Sequence, residues 1–412
     1  MDRRTFMRLA GLGVGLTLVP FGRHGWLALS AGEASGRRLV VVFLRGAVDG
    51  LSVVVPVADS RYYEARSSIA ISKPGSDGGA LGLDGRFGLH PALSPLVPLW
   101  RAGGLAFVHA CGSPDPTRSH FDAQDYMESA TPGVKGTPDG WMNRLLAVLP
   151  GTHAPTQAVS FSPTIPRILS GRMAVANMAL GSAAARPTPL DRPAVGEAFD
   201  RLYGGEDNLS KAYREGREAR SQLMSDLSEE MAAANQGAPP AEGFRRQGER
   251  LGRMMAKDPS IQLAFVALGG WDTHVNQGAV QGQLAGRLKG LGEGLAGLSQ
   301  NLGAAWRDTV VLVLSEFGRT VHENGNRGTD HGHGNVMWVL GGPAAGGKVY
   351  GEWPGLSSAS LYQGRDLAVT TDFRQVLAAV LERHLRLQDR QLEAVFPSMP
   401  PRLPPLGSIL RG

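Results

Sequence analysis

Short apolar runs recur along the chain, separated by segments in which apolar residues have helical spacing. The run RLVVVFLR, residues 38–45, is continuous and rich in β-branched residues, which is typical of a strand buried on both faces of a sheet. Residues 51–57 predict a strand that extends or partners this one. Further strands of the first kind are predicted at residues 105–109, 261–268, 309–314 and 336–340.

Segments with helical spacing lie between these runs. They predict helices at residues 91–101, 119–129, 141–149, 283–306 and 372–384. Because strands and helices alternate, we expect an α/β fold in which helices cover both faces of a mostly parallel sheet. In proteins with such sheets, the active or binding site lies where the strands end.

Residues 187–257 differ from the rest of the chain. Their charge is higher and strand-like runs are missing. Residues 209–234 and 243–256 predict amphipathic helices with a proline- and glycine-containing break between them. We therefore expect 187–257 to be a helical insertion within one domain that spans residues 37–412.

The first thirty residues predict an export signal. Arg3 and Arg4 precede an apolar segment at 9–21, and small residues follow at 28–31. This order is typical of a cleavable signal of the twin-arginine type, with an uncleaved anchor as the alternative. The apolar segment is too short and too rich in glycine for a stable membrane span. We expect twin-arginine translocase to export the folded protein to the bacterial periplasm or beyond.

Composition narrows the possible functions. The formal net charge is +5, and the signal carries +3 of it, so the rest of the chain is near +2. No basic patch interleaved with aromatic residues indicates nucleic-acid binding. Cys111 is the only cysteine, which excludes an intramolecular disulfide and a multi-cysteine metal site.

Polar residues cluster next to five of the predicted strands, and several of them are metal-ligand types. Imidazole and carboxylate together suit zinc, manganese or iron, so we expect a divalent metal. Asp272 and His274 are two residues apart, as are His331 and His333, and residues at this spacing point the same way in an extended segment. The candidate ligands are Asp49, Asp272, His274, Glu316, Asp330, His331 and His333.

Several of these side chains have a second interpretation. Asp49 either binds metal or caps a turn. Ser119 is either the N-cap of a helix or a nucleophile at a helix N-terminus, where the dipole favours anionic substrates. Arg319 either binds an oxyanion or pairs with Glu316, and Arg45 and Arg118 are further candidates for oxyanion binding. His90 and His109 stand among apolar residues and are expected to be structural.

Six sequence blocks resemble the domain of unknown function 1501 family. They are VVVFLRGAVDGLSVVVP, TRSHFDAQDYMES, LGGWDTH, LSEFGRT, GTDHGHG and TTDFRQVLAAVL, in that order. The family is similar in sequence order to the alkaline phosphatase, sulfatase and phosphoglycerate mutase superfamily. The resemblance implies an alkaline-phosphatase-like fold, a three-layer α/β/α sandwich, usually with two divalent metals.

The resemblance also implies roles for individual residues. Ser119, with Thr117 as the alternative, falls where the nucleophile is expected. Asp272 with His274 resembles the superfamily's Asp with a nearby His, and His331 or His333 resembles its last His.

The match is incomplete at two positions. Arg45 and Gly46 end the first strand in place of a metal-binding aspartate, for which Asp49 could substitute from the loop. Glu316 and Phe317 replace an Asp-His pair. One metal, or none, is therefore as compatible with the sequence as two. The segment CGSPDPTR does not have the spacing of a formylglycine sulfatase signature.

Together these observations predict an exported metal-dependent hydrolase of phosphate or sulfate esters, acting on a small-molecule, polysaccharide or lipid ester. Ser119 would attack the ester, and Arg45, Arg118 or Arg319 would hold the oxyanion. The alternative is a non-catalytic exported binding protein that retains the fold.

Overall fold

The computed structural model describes residues 36–151, 153–161, 165–177, 197–198, 201–205, 207, 210 and 243–411. The predicted export signal at 1–30 lies outside these residues, as does the predicted helix at 209–234 apart from Ser210. No helix of the described part is both long enough and apolar enough to span a membrane.

Strands alternate with helices, as the apolar pattern predicts. The described strands are β1 (Arg38–Leu44), β2 (Val54–Val55), β3 (Leu81–Gly82), β4 (Gly88–Leu89), β5 (Leu105–Gly112), β6 (Ala158–Phe161), β7 (Ala176–Asn177), β8 (Leu263–Leu268), β9 (Thr309–Ser315), β10 (Asn335–Gly341), β11 (Lys348–Tyr350) and β12 (Thr371–Asp372). The helices with described bounds are α1 (Gly50–Val53), α2 (Ser60–Ala65), α3 (Val97–Arg101), α4 (His120–Ser129), α5 (Trp141–Val148), α6 (Phe244–Lys257), α7 (Gln283–Leu302), α8 (Phe373–Leu385) and α9 (Asp389–Val395).

Nine of these strands form one mixed sheet in the order β11-β5-β10-β9-β1-β8-β6-β7, with β12 also paired to β5. All the pairings are parallel except those of β10, which is antiparallel to both β9 and β5. The start of β10 therefore lies at the edge where β1, β8 and β9 end. This direction brings the residues before β10 to the same edge as the residues after the parallel strands.

The sheet is buried on both faces. Leu39 and Val41 of β1 pack in one hydrophobic cluster with α5 and α8, while Val40 and Val42 pack in the other with α6 and α7. All four side chains are fully buried, and each such burial contributes roughly 1.5–3 kcal/mol. The fold is therefore a three-layer α/β/α sandwich with a mostly parallel sheet, as predicted.

Helix α6 is the described end of the predicted 187–257 insertion. It packs closely on α7, since a Cβ on Gly248 would stand 2.1 Å from the carbonyl oxygen of Gly294. Only glycine permits this approach. This part of the segment therefore belongs to a helical layer that covers the sheet.

The prediction of a strand over residues 51–57 is wrong for its first half. Helix α1 occupies Gly50–Val53, and only Val54–Val55 forms a strand, in a separate three-stranded sheet with β4 and β3. The hydroxyl of Ser52 donates to the carboxylate of Asp49 at 2.7 Å, which favours a turn at the start of an otherwise apolar run. Hydrophobicity alone does not reveal such a contact.

His90 and His109 have structural roles, which confirms their interpretation from sequence. His109 Nε2 donates to the carbonyl oxygen of Val54 at 2.9 Å, and its Nδ1 accepts from the backbone of Ala110 at 3.0 Å. His90 makes the same pair of contacts with the carbonyl of Ala279 and the backbone N–H of Ala92. Both rings are thus satisfied as neutral imidazoles. Burial lowers the pKa of His109 to about 4.

The low pKa of His109 predicts a loss of stability in mild acid. The unfolded chain takes up this proton near pH 6.5, whereas the folded protein resists it until about pH 4. The contribution is complete above pH 6.5 and is lost as the pH falls towards 4, at a cost of about 2–3 kcal/mol. We expect urea unfolding at pH 7 and pH 4.5 to show a smaller acid loss in His109→Gln than in the wild type. An equal loss in both proteins would contradict this assignment.

Candidate metal centre

Four chain segments converge at the edge of the sheet where β1, β8 and β9 end. Asp272 and His274 follow β8, Glu316 follows β9, and His331 precedes β10. The fourth segment brings in His120, the first residue of α4. The antiparallel direction of β10 is what adds His331 to this group.

Three imidazoles and one carboxylate point their donor atoms at one another. His331 Nε2 lies 2.9 Å from His120 Nε2 and 3.0 Å from His274 Nε2. Asp272 Oδ1 is 3.0 Å from His274 Nε2 and 3.5 Å from His331 Nε2, and Asp272 Oδ2 is 3.7 Å from His120 Nε2. Metal bonds of 2.0–2.2 Å in a tetrahedron place ligand atoms about 3.3 Å apart. The five distances, 2.9–3.7 Å, are compatible with ligands that share one divalent metal ion.

The other nitrogen of each imidazole contacts a hydrogen-bond acceptor. His120 Nδ1 lies 2.8 Å from Glu316 Oε1, and His274 Nδ1 lies 3.1 Å from Asp330 Oδ1. His331 Nδ1 lies 2.9 Å from the carbonyl oxygen of Arg118. Ionised carboxylates and carbonyls only accept, so each Nδ1 carries the proton. Holding metal-binding histidines in this way fixes their tautomer and raises their basicity.

This tautomer leaves three Nε2 lone pairs facing one another. Two lone pairs cannot form a hydrogen bond, so contacts of 2.9 and 3.0 Å require a shared cation. Burial and the positive charge of neighbouring groups, first among them His120, lower the pKa of His331, so His331 itself holds a proton less readily than an ordinary histidine. A metal ion would satisfy such lone pairs, and among the described residues His120, Asp272 and His331 form a group that could hold one.

Arg319 holds Asp272 in the ionised form. Its Nη2 donates to Asp272 Oδ1 at 2.5 Å, and its other donors reach backbone carbonyls that include Ala47 and Thr329. Its Nη1 also lies 3.5 Å from His274 Nε2. Burial alone would raise the pKa of Asp272, but the hydrogen bond and charge of Arg319 hold it below its usual range. The carboxylate is therefore charged at neutral pH, as a metal ligand must be.

Glu316 is fully buried behind His120. Burial would raise its pKa, but hydrogen bonds from His120, Gln124 and the backbone of Gly46 lower it. Gly46 has a φ of +113°, and a Cβ there would stand 2.7 Å from the backbone nitrogen of Asp272. Glycine at this position therefore lets the end of β1 contact both Glu316 and the loop that carries Asp272.

The donor atoms are accessible from one side. Asp272 and His274 have 46% and 37% of their side chains exposed, whereas Glu316 and Arg319 behind them are fully buried. Structural metal sites are closed, and catalytic ones keep an open position. Solvent or a substrate can therefore reach this cluster.

Asp49, a candidate ligand from sequence, belongs to a different network. Its carboxylate accepts from Arg66 Nη2 at 2.9 Å and from Gln277 Nε2 at 2.7 Å, and it is fully buried with Arg66. Its negative charge is neutralised there. The structure gives Asp49 the role of a counter-ion in place of a metal ligand.

His331, and not His333, is the histidine of GTDHGHG in the cluster. The ring of His333 is buried against Tyr362, with ring centroids 4.5 Å apart. In an extended chain both rings would point the same way. The chain bends at His333, so the two rings separate.

Glu316 and Asp330 reach the centre indirectly. Glu316 contacts the Nδ1 of His120, and Asp330 contacts the Nδ1 of His274. Both were candidate ligands from sequence. In the structure they are the acceptors that orient two of the histidines.

The arginines predicted to bind an oxyanion are all paired with carboxylates. Arg45 contacts Glu128 at 2.5 Å, Arg118 contacts Asp366 at 2.6 Å, and Arg319 contacts Asp272. Arg45 and Arg118 keep about a third of their side chains exposed, at 32% and 30%, whereas Arg319 is fully buried. Arg319 can therefore orient Asp272 but cannot reach a substrate.

Ser119 is the N-cap of α4 and accepts from the backbone of Asp122 at 3.4 Å. This confirms the capping interpretation. Its side chain is exposed, and it immediately precedes His120 in the chain.

His120 is the residue that sequence reasoning missed as a ligand. It lies 211 positions from His331 in the chain, so no local spacing links the two. The sequence feature that could identify His120 is its position directly after the predicted N-cap Ser119, at the end of a loop that follows a predicted strand.

The chain belongs to the family described as Protein of unknown function (DUF1501), whose model matches residues 104–396. No curated protein matches the chain.

Solved structures similar to the chain come from the alkaline phosphatase superfamily and proteins related to it in fold. A protein in that superfamily from Vibrio parahaemolyticus has 9% identity and a TM-score of 0.36 over 83% of this chain and 69% of its own. The C-terminal periplasmic domain of EcEptC from Escherichia coli, in complex with Zn, has 13% identity and a TM-score of 0.35 over 76% and 74%. The lipoteichoic acid synthase LtaP from Listeria monocytogenes has 10% identity and a TM-score of 0.31 over 82% and 76%. At these scores the likeness assigns no activity to this chain.

The geometry predicts which histidine of GTDHGHG binds metal. We expect the purified protein to bind one equivalent of Zn²⁺ in isothermal titration calorimetry. His331→Ala should weaken binding by more than about a hundredfold, since changes outside the ligands alone cost ten- to a hundredfold. His333→Ala is the matched control and should retain the wild-type affinity. Weakened binding in His333→Ala with normal binding in His331→Ala would contradict the site.

Proposed function

We propose that this protein is an exported, metal-dependent hydrolase of phosphate or sulfate esters. The observation that carries the proposal is the convergence of three imidazole Nε2 atoms and the Asp272 carboxylate on one point with an accessible side. A divalent ion such as zinc or manganese fits this donor set.

His120, His274, His331 and Asp272 would hold the ion. When bound, it would supply Lewis acidity that polarises the oxygens of a phosphoryl or sulfuryl group. Around the ligands, Asp330 and Glu316 keep the imidazoles oriented, and Arg319 keeps Asp272 ionised and in place. These residues are set before a substrate arrives, which is the condition for electrostatic stabilisation of a transition state.

Ser119 is the proposed nucleophile. Its exposed hydroxyl lies at the N-terminus of α4, where the helix dipole favours negative charge. The hydroxyl oxygen would form a bond to phosphorus or sulfur as the bond to the ester oxygen breaks, with the serine proton passing through solvent to the departing alcohol. Water would then cleave the serine ester, which releases phosphate or sulfate and restores Ser119.

Of the three arginines that the sequence offers for oxyanion binding, Arg118 and Arg45 keep partly exposed side chains. Arg118 shares the buried carboxylate of Asp366 with Arg365, whose Nε lies 2.9 Å from Asp366 Oδ1. Two guanidinium groups thus face one carboxylate, which leaves a net positive charge. The guanidinium of Arg365 also donates through Nη2 to the carbonyl oxygen of His331 at 2.7 Å, so this charge stands beside the centre and would support the binding of an anionic ester.

A non-catalytic exported binding protein is the second candidate. Two ion pairs favour it. Arg45 pairs with the almost fully buried Glu128, and Arg319 pairs with Asp272. These pairs neutralise two of the three arginines expected to hold an oxyanion. Such a protein would use the accessible centre to bind a metal or an anionic polysaccharide without turnover.

Export by the twin-arginine translocase to the periplasm or beyond is part of the proposal. It is supported by the paired arginines and apolar segment of residues 1–30. A metal centre built from segments more than two hundred residues apart forms only in the folded chain. Loading it before export is consistent with a route that carries folded proteins.

The ester reaction and its nucleophile can be tested together. We expect Zn²⁺- or Mn²⁺-loaded protein to release p-nitrophenol from p-nitrophenyl phosphate or p-nitrophenyl sulfate, and chelation to abolish release. Ser119→Ala should lower turnover by roughly a thousandfold or more, as expected for a lost nucleophile, while metal content is unchanged. Thr117→Ala tests the alternative nucleophile and should retain most of the wild-type turnover if Ser119 attacks the ester.

Wild-type turnover in Ser119→Ala would show that another group attacks the ester. A metal-loaded wild type without turnover on either ester would contradict the hydrolase and favour the binding protein.

A further inference from the structure

A buried ion pair lies behind the metal centre. Arg66 and Asp49 are both fully buried, and two nitrogens of Arg66 contact the carboxylate of Asp49 at 2.5 and 2.9 Å. Ser52 donates to the same carboxylate and accepts from Arg66 at 3.0 Å. Burying two charges costs several kcal/mol per ion before their attraction is counted, so stability alone does not explain the pair.

Gln277 connects this pair to the loops that carry the ligands. Its Nε2 donates to Asp49 Oδ2 at 2.7 Å. Its Oε1 accepts from the hydroxyl of Thr273 at 2.7 Å and from that of Thr329 at 3.0 Å. Thr273 stands between Asp272 and His274, and Thr329 is two residues before His331. The side-chain amide of Gln277 therefore connects the chain segments that carry Asp272, His274 and His331.

Arg66 reaches a third segment. Its Nη2 donates to the carbonyl of Thr320 at 2.9 Å and its Nε to that of Val321 at 2.9 Å. These residues follow Arg319, whose guanidinium holds Asp272. The ion pair is therefore attached both to the ligand loops and to the arginine that orients one ligand.

The loops have little freedom to move separately. The backbone of Thr329 donates to the carbonyl of Thr273 at 3.1 Å, and that of Gln277 donates to Arg327 at 2.9 Å. A Cβ on Gly328 would stand 2.3 Å from the carbonyl oxygen of His274. Any shift of Gln277 would therefore be transmitted to the spacing between His274 and His331.

We infer that Gln277, held by the Asp49–Arg66 pair, is a positioning residue that sets the spacing of the metal ligands Asp272, His274 and His331. The inference rests on the proposed metal centre. Gln277 touches none of the donor atoms and acts through Thr273 and Thr329. Supporting groups of this kind change metal affinity by ten- to a hundredfold when they are removed.

The test compares two isosteric substitutions in the full chain. Gln277→Met removes three hydrogen bonds of a fully buried amide. Asn143→Leu also removes three hydrogen bonds of a buried amide, those to Leu169 and Met173, and Asn143 belongs to α5 on one face of the sheet. The Co²⁺ affinity and Co²⁺ visible absorption spectrum of each variant are measured beside its urea unfolding. Thr273→Val with Thr329→Val is a milder second variant, should Gln277→Met not fold.

We expect Gln277→Met, or the double threonine variant, to weaken Co²⁺ binding by ten- to a hundredfold and to change the absorption spectrum. Asn143→Leu should leave both unchanged while its stability falls. Unchanged Co²⁺ affinity and spectrum in the Gln277 and threonine variants would overturn the inference and leave the metal centre standing. A wild type that takes up no Co²⁺ would overturn the metal centre itself, and the inference with it.

Discussion

The repulsion between three imidazole lone pairs is the constraint on which the rest of the site depends. His331 Nε2 lies 2.9 Å from His120 Nε2 and 3.0 Å from His274 Nε2, and the acceptors at each Nδ1 oblige the proton to stay on the far side of each ring. A cation at the centre would turn this repulsion into favourable bonds. Buried Glu316 and Arg319 then support a charged centre built from several chain segments. The buried ion pair of Arg66 with Asp49 supports it as well.

The sheet makes the convergence possible. Parallel strands β1, β8 and β9 deliver their following loops to one edge, and β10 runs the other way, so that its preceding loop meets them there. A parallel β10 would have carried His331 to the opposite edge of the sheet. The antiparallel strand is therefore as necessary to the centre as any ligand.

Local sequence patterns predict much of the architecture but only part of the candidate metal centre. Continuous apolar runs identify β1, β8 and β9 because burial on both faces imposes them, and Asp272 with His274 follows from strand-end position and spacing. His120 and the separation of His331 from His333 depend on distant contacts and on a bend at His333. Asp49 has the residue type of a ligand, but Arg66 neutralises it. Sequence spacing shows which groups are available, and only the three-dimensional contacts show which charges are already paired.

The most direct test of the centre is the X-ray absorption spectrum of the Zn²⁺-loaded protein. The structure predicts a first shell of three imidazole nitrogens and one carboxylate oxygen at about 2.0–2.2 Å, with the outer-shell scattering of three imidazole rings. Loss of one ring in His120→Ala would identify the ligand that sequence reasoning missed. A shell of oxygens alone, or an imidazole count that His120→Ala leaves unchanged, would contradict the four-residue centre.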